Sequence, residues 1–284
     1  QKMQRPVALK IAKSSQINVA DKLRFLREAR VTGQLNHPNV MPVYDIGTDP
    51  DGHLFFTMKE VYGKSLSERI KENSLGSVLQ RLLIFRQVCN AIAFAHSRGV
   101  LHRDIKPGNI MLGEFGEVLV VDWGLCKILG DATEPEESGH APISDDELQT
   151  QIGEIAGTPA YMAPEQALGQ AERLDNRTDV YALGALLYTL VTLKSPFKGT
   201  IDEVLKRVSE GDFQSARSVA QDDVSKELDA IVSKAMERDR SDRYQRVSDL
   251  SLDIQAFIEK RPVSAMQYSL TQRVGKWIDR NQRV

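Results

Sequence analysis

His102-Arg103-Asp104-Ile105-Lys106-Pro107-Gly108-Asn109 stands between a long helical pattern and a short pair of strand-like runs. It carries a carboxylate, an ammonium two residues on and an amide three further, with Pro107 and Gly108 holding the chain in a loop. Upstream, Leu79 to His96 reads as one long helix that ends near Gly99. Downstream come Ile110–Leu112 and Val118–Val121, short and apolar, with Gly113 to Gly116 as the hairpin turn between them. The second run delivers the chain to Asp122-Trp123-Gly124, 18 residues after Asp104. A polar loop and a second carboxylate at a strand end are thus set on either side of one small hairpin.

Working outward from that centre, the first part of the chain reads as β-rich. Val7–Ala12, Met41–Ile46 and Leu54–Met58 are expected strands, the last two separated by Thr48-Asp49-Pro50-Asp51-Gly52. A helix is expected over Ala20 to Leu35, stopped by Asn36-His37-Pro38-Asn39, with Phe25, Leu26, Ala29 and Thr32 to one side. From Ser65 onward helices dominate. Ser65-Leu66-Ser67-Glu68 and Thr200-Ile201-Asp202-Glu203 both have the form of a capping box. Val180 to Leu193 is the longest apolar run; it falls short of the roughly 20 residues a membrane span needs and reads as a buried helix. Residues 131 to 149 are acidic, contain two prolines and read as a mobile loop. The expected fold class is α+β, with a small β-rich lobe ahead of a larger helical one.

Composition bounds the function. The 284 residues are 41% hydrophobic and 27% charged, ordinary for a globular protein. With 37 Lys and Arg against 39 Asp and Glu, the net charge of -2 argues against a partner held by nucleic-acid phosphates. Cys89 and Cys126 form no disulfide framework and read as small core residues in a reducing compartment, and Gln1 to Pro6 carry no apolar leader. A cytoplasmic location is the expectation.

The 102–109 stretch resembles the catalytic loop of eukaryotic-like protein kinases, H-R-D-x-K-P-x-N. That resemblance implies a bilobal kinase fold and transfer of the γ-phosphate of ATP to serine or threonine hydroxyls of proteins. It makes Asp104 the group that accepts or orients the hydroxyl proton, Lys106 a fixed positive charge near the phosphoryl group, and Asn109 a ligand for Mg²⁺, with Mn²⁺ as the alternative ion. Asp122-Trp123-Gly124 takes the place of the family's D-F-G, so Asp122 is the expected second metal ligand, and the Trp keeps a large apolar ring where the family has Phe. Val7-Ala8-Leu9-Lys10 resembles V-A-I-K, whose lysine contacts the α- and β-phosphates; Glu28, 18 residues later, is its expected partner. Leu54 to Gly63 resembles the strand and hinge joining the lobes. Met58 is then expected deep in the adenine pocket, backbone groups of Lys59 and Val61 on the base, and Ala8 and Leu112 on its faces.

Gly157-Thr158-Pro159-Ala160-Tyr161-Met162-Ala163-Pro164-Glu165 resembles the end of an activation segment. The resemblance implies that Thr158 bonds Asp104 and Lys106, that Glu165 forms a buried ion pair with Arg243, and that Asp179 holds the loop backbone near Arg103. It also implies switching by phosphorylation, for which Thr150 is the candidate and Ser144 the reserve, the new charge pairing with Arg103. The lysine at 106 and Gly157-Thr158 favour Ser/Thr over tyrosine. Pro159-Ala160-Tyr161-Met162-Ala163-Pro164-Glu165-Gln166 and Trp123 point to the bacterial branch.

The expected division is a small lobe over 1–62, a large lobe over 63–262, and a basic tail over 263–284. The family's glycine-rich loop belongs about 20 residues ahead of Val7; the expectation is that the sequence starts inside the domain, with natural absence as the alternative. In the tail, Leu270, Val274, Trp277 and Ile278 fall at helical spacing among Arg273, Lys276, Arg280 and Arg283. Two readings stand for it: a helix docked on the large lobe, or a basic juxtamembrane helix with a membrane anchor beyond residue 284. Self-phosphorylation in trans is a further expectation. Two other function classes stand beside the kinase reading, a pseudokinase interaction module and a small-molecule phosphotransferase. The full set Lys10, Glu28, Asp104, Asn109 and Asp122 speaks against the first, and the Ala163-Pro164-Glu165 segment with Arg243 against the second.

Overall fold

The computed structural model describes residues 5–12, 19–128, 158–220 and 224–269, with the side chains of Ala20 and Thr158 excepted. The acidic stretch at 131–149, Ser144, Thr150 and the tail from 270 lie outside the described residues.

Three antiparallel strands, β1 (Val7–Ile11), β2 (Val43–Thr48) and β3 (Leu54–Lys59), form a sheet in the order β1-β3-β2. Helix α1 (Val19–Gln34) lies against it, Phe25 meeting Phe56 with ring centroids 5.1 Å apart. The helix turns Glu28, Ala29, Val31 and Thr32 inward and leaves Arg24 and Arg30 in solvent. The second strand, expected to begin at Met41, begins at Val43 instead. The reason is a competing partner: the Met41 N–H donates to the Val120 carbonyl at 3.1 Å, and Val40 forms a parallel bridge with the same residue. The chain there is spent on tying the two lobes together.

The larger lobe starts with β4 (Gly63–Ser65), which pairs with β6 (Ile110–Gly113), itself paired with β7 (Val118–Val120). Ser65 and Glu68 close the expected capping box at the head of α2 (Leu66–Lys71), and Thr200 with Glu203 does the same for α6 (Ile201–Glu210). Helix α3 (Val78–Ser97) is long and apolar enough by length and composition to cross a membrane, yet its Leu82, Phe85, Val88, Cys89 and Ile92 are core residues. Two-residue strands β5 (Val100–Leu101) and β8 (Lys127–Ile128) pair beside it, and neither was expected. After the short α4 (Pro164–Ala167), α5 (Asn176–Thr192) is buried on every side from Thr178 to Thr192, as an all-apolar helix must be. Its Gly184 allows α8 (Lys226–Ala235) to come close: a Cβ there would stand 2.8 Å from Ala235 Cβ and Met236 Cγ. Helices α7 (Ala216–Val219) and α9 (Val247–Ile258) complete the packing. Of the tail expected from 263, Val263 is buried, and Ser264 and Ala265 donate their N–H groups to Asp253 at 2.7 and 3.0 Å. Those residues fold back onto the large lobe. The architecture is the bilobal α+β arrangement that the sequence implied.

Candidate active site

The loop 102–109 is held from below by α5. Asp179, fully buried in the first turn of that helix, accepts from the N–H of His102 at 2.9 Å and of Arg103 at 2.8 Å. His96, in the last turn of α3, makes a third contact, Nε2 to Asp179 Oδ2 at 2.7 Å. Burial alone would raise the Asp179 carboxyl, but His96, His102 and the Arg103 N–H outweigh it and hold Asp179 below the usual carboxylate range. His96 is a part of this support that sequence reasoning missed. Its only sequence signal is a histidine in the final turn of the long helix, just ahead of Gly99.

Above Asp179 the loop turns its polar side chains to the cleft. Asp104 Oδ2 receives both Lys106 Nζ and Asn109 Nδ2 at 2.8 Å, and Asn109 Nδ2 also donates to the Asp104 carbonyl at 2.8 Å. Both bonds fall on Oδ2, and among the described residues no group donates to Oδ1. The Asp104 N–H donates to His102 Nδ1 at 3.2 Å, which puts the imidazole proton on Nε2, 3.3 Å from the Val121 carbonyl. The His102 and Trp123 rings pack at 4.5 Å, both fully buried, so Trp123 serves as core.

The chain leaving β7 carries Asp122 alongside. The Val121 N–H donates to the Asn109 carbonyl at 3.0 Å, which fixes Asp122 beside Asn109. Arg103 and Asp122 are both non-glycine residues in the left-handed region, at φ 68° and 62°. Such backbone strain persists only where surrounding contacts hold it. From the small lobe, Lys10 on β1 reaches Glu28 on α1 at 2.6 Å and Asp122 Oδ1 at 4.0 Å. Burial pushes the Glu28 carboxyl up, and the nearby Lys10 charge only partly offsets it. Gly124 lets these carboxylates approach, since a Cβ there would lie 3.2 Å from Asp122 Oδ1 and 3.4 Å from Glu28 Oε2.

At the back of the cleft Met58 pairs with Ala8 on one side and Val43 on the other. The Lys59 N–H donates to the Pro42 carbonyl at 3.1 Å, so that N–H is not open to an adenine, and Lys59 Nζ goes to Glu117 at 2.5 Å. Val61 is half-buried where the chain crosses to the large lobe, and Leu112 lies buried in β6 on the opposite side from Ala8. The expected Thr158 contacts lie outside the described residues.

The remaining expected pair is fully formed. Arg243 and Glu165 meet through two parallel bonds of 2.9 Å, both side chains buried. Thr178 Oγ1 adds a bond to Glu165 at 2.9 Å.

A divalent cation prefers hard oxygen ligands. Asn109 spends its Nδ2 on Asp104, which leaves Oδ1 as the ligand atom, and the adjacent Asp122 carboxylate is 48% exposed to the cleft. These residues fit such an ion.

A protein kinase domain model matches residues 1–252. The chain belongs to the protein kinase domain family. Members of this family act on proteins with ATP and a divalent metal ion. Among similar proteins, the serine/threonine-protein kinase PknD of Protochlamydia amoebophila is 41% identical over 275 residues, covering 91% of this chain and 28% of its own length. A PknD of Chlamydia pneumoniae is 37% identical over 276 residues, covering 91% of this chain and 29% of its own length. The probable serine/threonine-protein kinase SCO3848 of Streptomyces coelicolor is 35% identical over 245 residues, covering 85% and 34%. The chain therefore spans about three tenths of the length of these relatives.

Proposed function

We propose that the chain is the catalytic domain of a bacterial serine/threonine protein kinase. The observation that carries this reading is the convergence on one cleft of Lys10–Glu28 from the small lobe with Asp122 and the Asp104–Lys106–Asn109 cluster from the large one. The likeness to bacterial kinases named for serine/threonine specificity supports the substrate class.

In this reading Lys10 holds the α- and β-phosphates of ATP, with Glu28 fixing the lysine. Met58, Ala8 and Leu112 enclose the adenine, which is bonded by the Lys59 carbonyl and by Val61. Asn109 and Asp122 hold Mg²⁺, or Mn²⁺, which neutralises phosphate charge when bound. Asp104, through Oδ1, orients the substrate hydroxyl and takes its proton. The hydroxyl oxygen forms a bond to the γ-phosphorus while the bond from that phosphorus to the β,γ-bridging oxygen breaks, and ADP leaves. Lys106 stabilises the charge that moves onto the phosphoryl oxygens. Thr158 shapes the hydroxyl site, and phosphorylation of Thr150, in trans by a second copy, pairs with Arg103. The working division is a small lobe over 1–62, a large lobe over 63–262 and a basic tail over 263–284, with a cytoplasmic kinase domain. Turnover on the order of 1–100 s⁻¹ is expected of an active member.

Nucleotide binding tests the assignment of roles. Mg²⁺ and ATP together should raise the unfolding temperature of the wild-type chain and of Asp104→Asn. The same addition should leave Asp122→Asn and Lys10→Met nearly unmoved. An equal rise in all four proteins would overturn the assignment.

A further inference from the structure

Arg103 is the residue whose backbone aims Asp104, and its left-handed φ of 68° is unfavourable for a side chain with a Cβ. Asp179 grips the N–H of that residue at 2.8 Å. The carbonyl on its other side is gripped as well: Gln166 Nε2 donates to the Arg103 oxygen at 2.9 Å. Gln166 belongs to α4 and directly follows Glu165. Its orientation is fixed by a second bond, since Oε1 accepts from the Ala163 N–H at 3.1 Å. Turned the other way, the amide would set donor against donor at Ala163 and acceptor against acceptor at Arg103.

We infer that Gln166 is a positioning residue for phosphoryl transfer, its side-chain amide holding the Arg103 carbonyl so that Asp104 keeps its aim. The inference rests on the reading of Asp104 as the group that handles the hydroxyl proton. Gln166 also sits in the Ala163-Pro164-Glu165 turn that Arg243 anchors to the large lobe. The clamp therefore makes the setting of the Asp104 loop depend on the seating of that turn. If the turn shifts, the carbonyl loses its donor and the Arg103 backbone can relax toward negative φ.

Two substitutions separate this role from simple helix capping. Gln166→Glu keeps the acceptor for the Ala163 N–H, and a carboxylate at that position of a helix start is a better cap than an amide. It has no donor for the Arg103 carbonyl. Gln166→Met keeps the length and loses both bonds. The clamp predicts that both variants lower kcat about tenfold to a hundredfold, the scale of a misplacement near 1 Å. KM for ATP should change less than about threefold in each, a loss of 1.4 kcal/mol being needed for a factor of ten. Arg103→Gly removes the penalty for the left-handed conformation, so Gln166→Glu should lose less kcat in that background than in the wild type. Denaturant unfolding of the same proteins reads the clamp without any activity: the stability change on Gln166→Glu should be more unfavourable in the wild type than in the Arg103→Gly background, where the capping gain is the same.

Wild-type kcat in Gln166→Glu with a loss only in Gln166→Met would reduce the residue to a cap and overturn the inference. So would lowered stability with unchanged kcat, or equal kcat losses in both Arg103 backgrounds. Failure of the reading beneath it looks different: wild type and Asp104→Asn would transfer phosphate equally, or neither would. In that case the unfolding comparison alone decides whether the clamp exists, and an equal stability change on Gln166→Glu in the wild-type and Arg103→Gly backgrounds overturns it.

Discussion

Removing Arg243 should damage the large lobe more than any surface change could. All five guanidinium hydrogens are used: two on Glu165, and three on the carbonyls of Glu237, Arg238 and Arg177 at 2.7, 2.9 and 3.0 Å. In Arg243→Ala the Glu165 carboxylate stays buried with Thr178 as its one remaining partner among the described residues. Breaking a buried pair from one side costs about 3–5 kcal/mol, a large share of the roughly 5–15 kcal/mol that holds a domain folded. Water entering the vacated space relieves part of the cost at the three carbonyls, so about 4 kcal/mol is expected, or about 8–16 °C in Tm for a chain of this size. Urea unfolding followed by circular dichroism measures it. Removing the stranded charge as well, in Arg243→Met/Glu165→Met, should recover about half of the loss, because an apolar replacement escapes the desolvation of an unpaired ion. A single mutant within about 1 kcal/mol of the wild type, or a double mutant no better than the single, would refute this account of the pair.

Asp179 and Glu28 should respond to pH in opposite senses. The folded state holds Asp179 below its usual range, so its contribution is present above about pH 4 and is lost as pH falls through its folded pKa. The stability gap between wild type and Asp179→Asn, measured by urea unfolding, should therefore shrink from pH 6 to pH 2, and a constant gap would contradict it. Glu28 is raised by burial, so the folded state binds its proton more tightly and ionisation lowers stability as pH rises above about 4.3. Glu28→Gln should accordingly be no less stable than the wild type at pH 7 while losing at least about tenfold in kcat/KM for ATP; a kinetically silent, destabilised variant would be the opposite result. At Gly184 a methyl group meets Ala235 and Met236 at 2.8 Å, so Gly184→Ala should destabilise by about 1–3 kcal/mol despite its better helix propensity, and a gain in thermal melting temperature would contradict the close α5–α8 approach.

Much of the arrangement was legible because local sequence and tertiary role agree. The capping boxes at Ser65 and Thr200 formed as written, and the apolar run from Val180 became a helix buried all round. The pairs Lys10–Glu28 and Glu165–Arg243 were expected from motif resemblance and are made in space. Contacts that depend on three-dimensional convergence were not legible. Nothing local marks Met41 as a partner of Val120 in the other lobe, or His96 as a support for Asp179, 83 residues away. Gln166 lies within a recognisable motif, yet its donor role emerges only where the Arg103 carbonyl stands 2.9 Å from its amide. The hinge was half legible: motif resemblance placed Lys59 at the adenine, and only the fold reveals that its N–H already belongs to Pro42.

The most direct test is phosphate transfer from γ-labelled ATP with Mg²⁺ to the chain and to a basic protein, followed by phosphoamino-acid analysis, with Asp104→Asn alongside. Label on serine and threonine from the wild type, reduced at least about a hundredfold in the mutant while ATP binding is kept, is the predicted result. Equal labelling by wild type and mutant, or label confined to tyrosine, would contradict the account of the site.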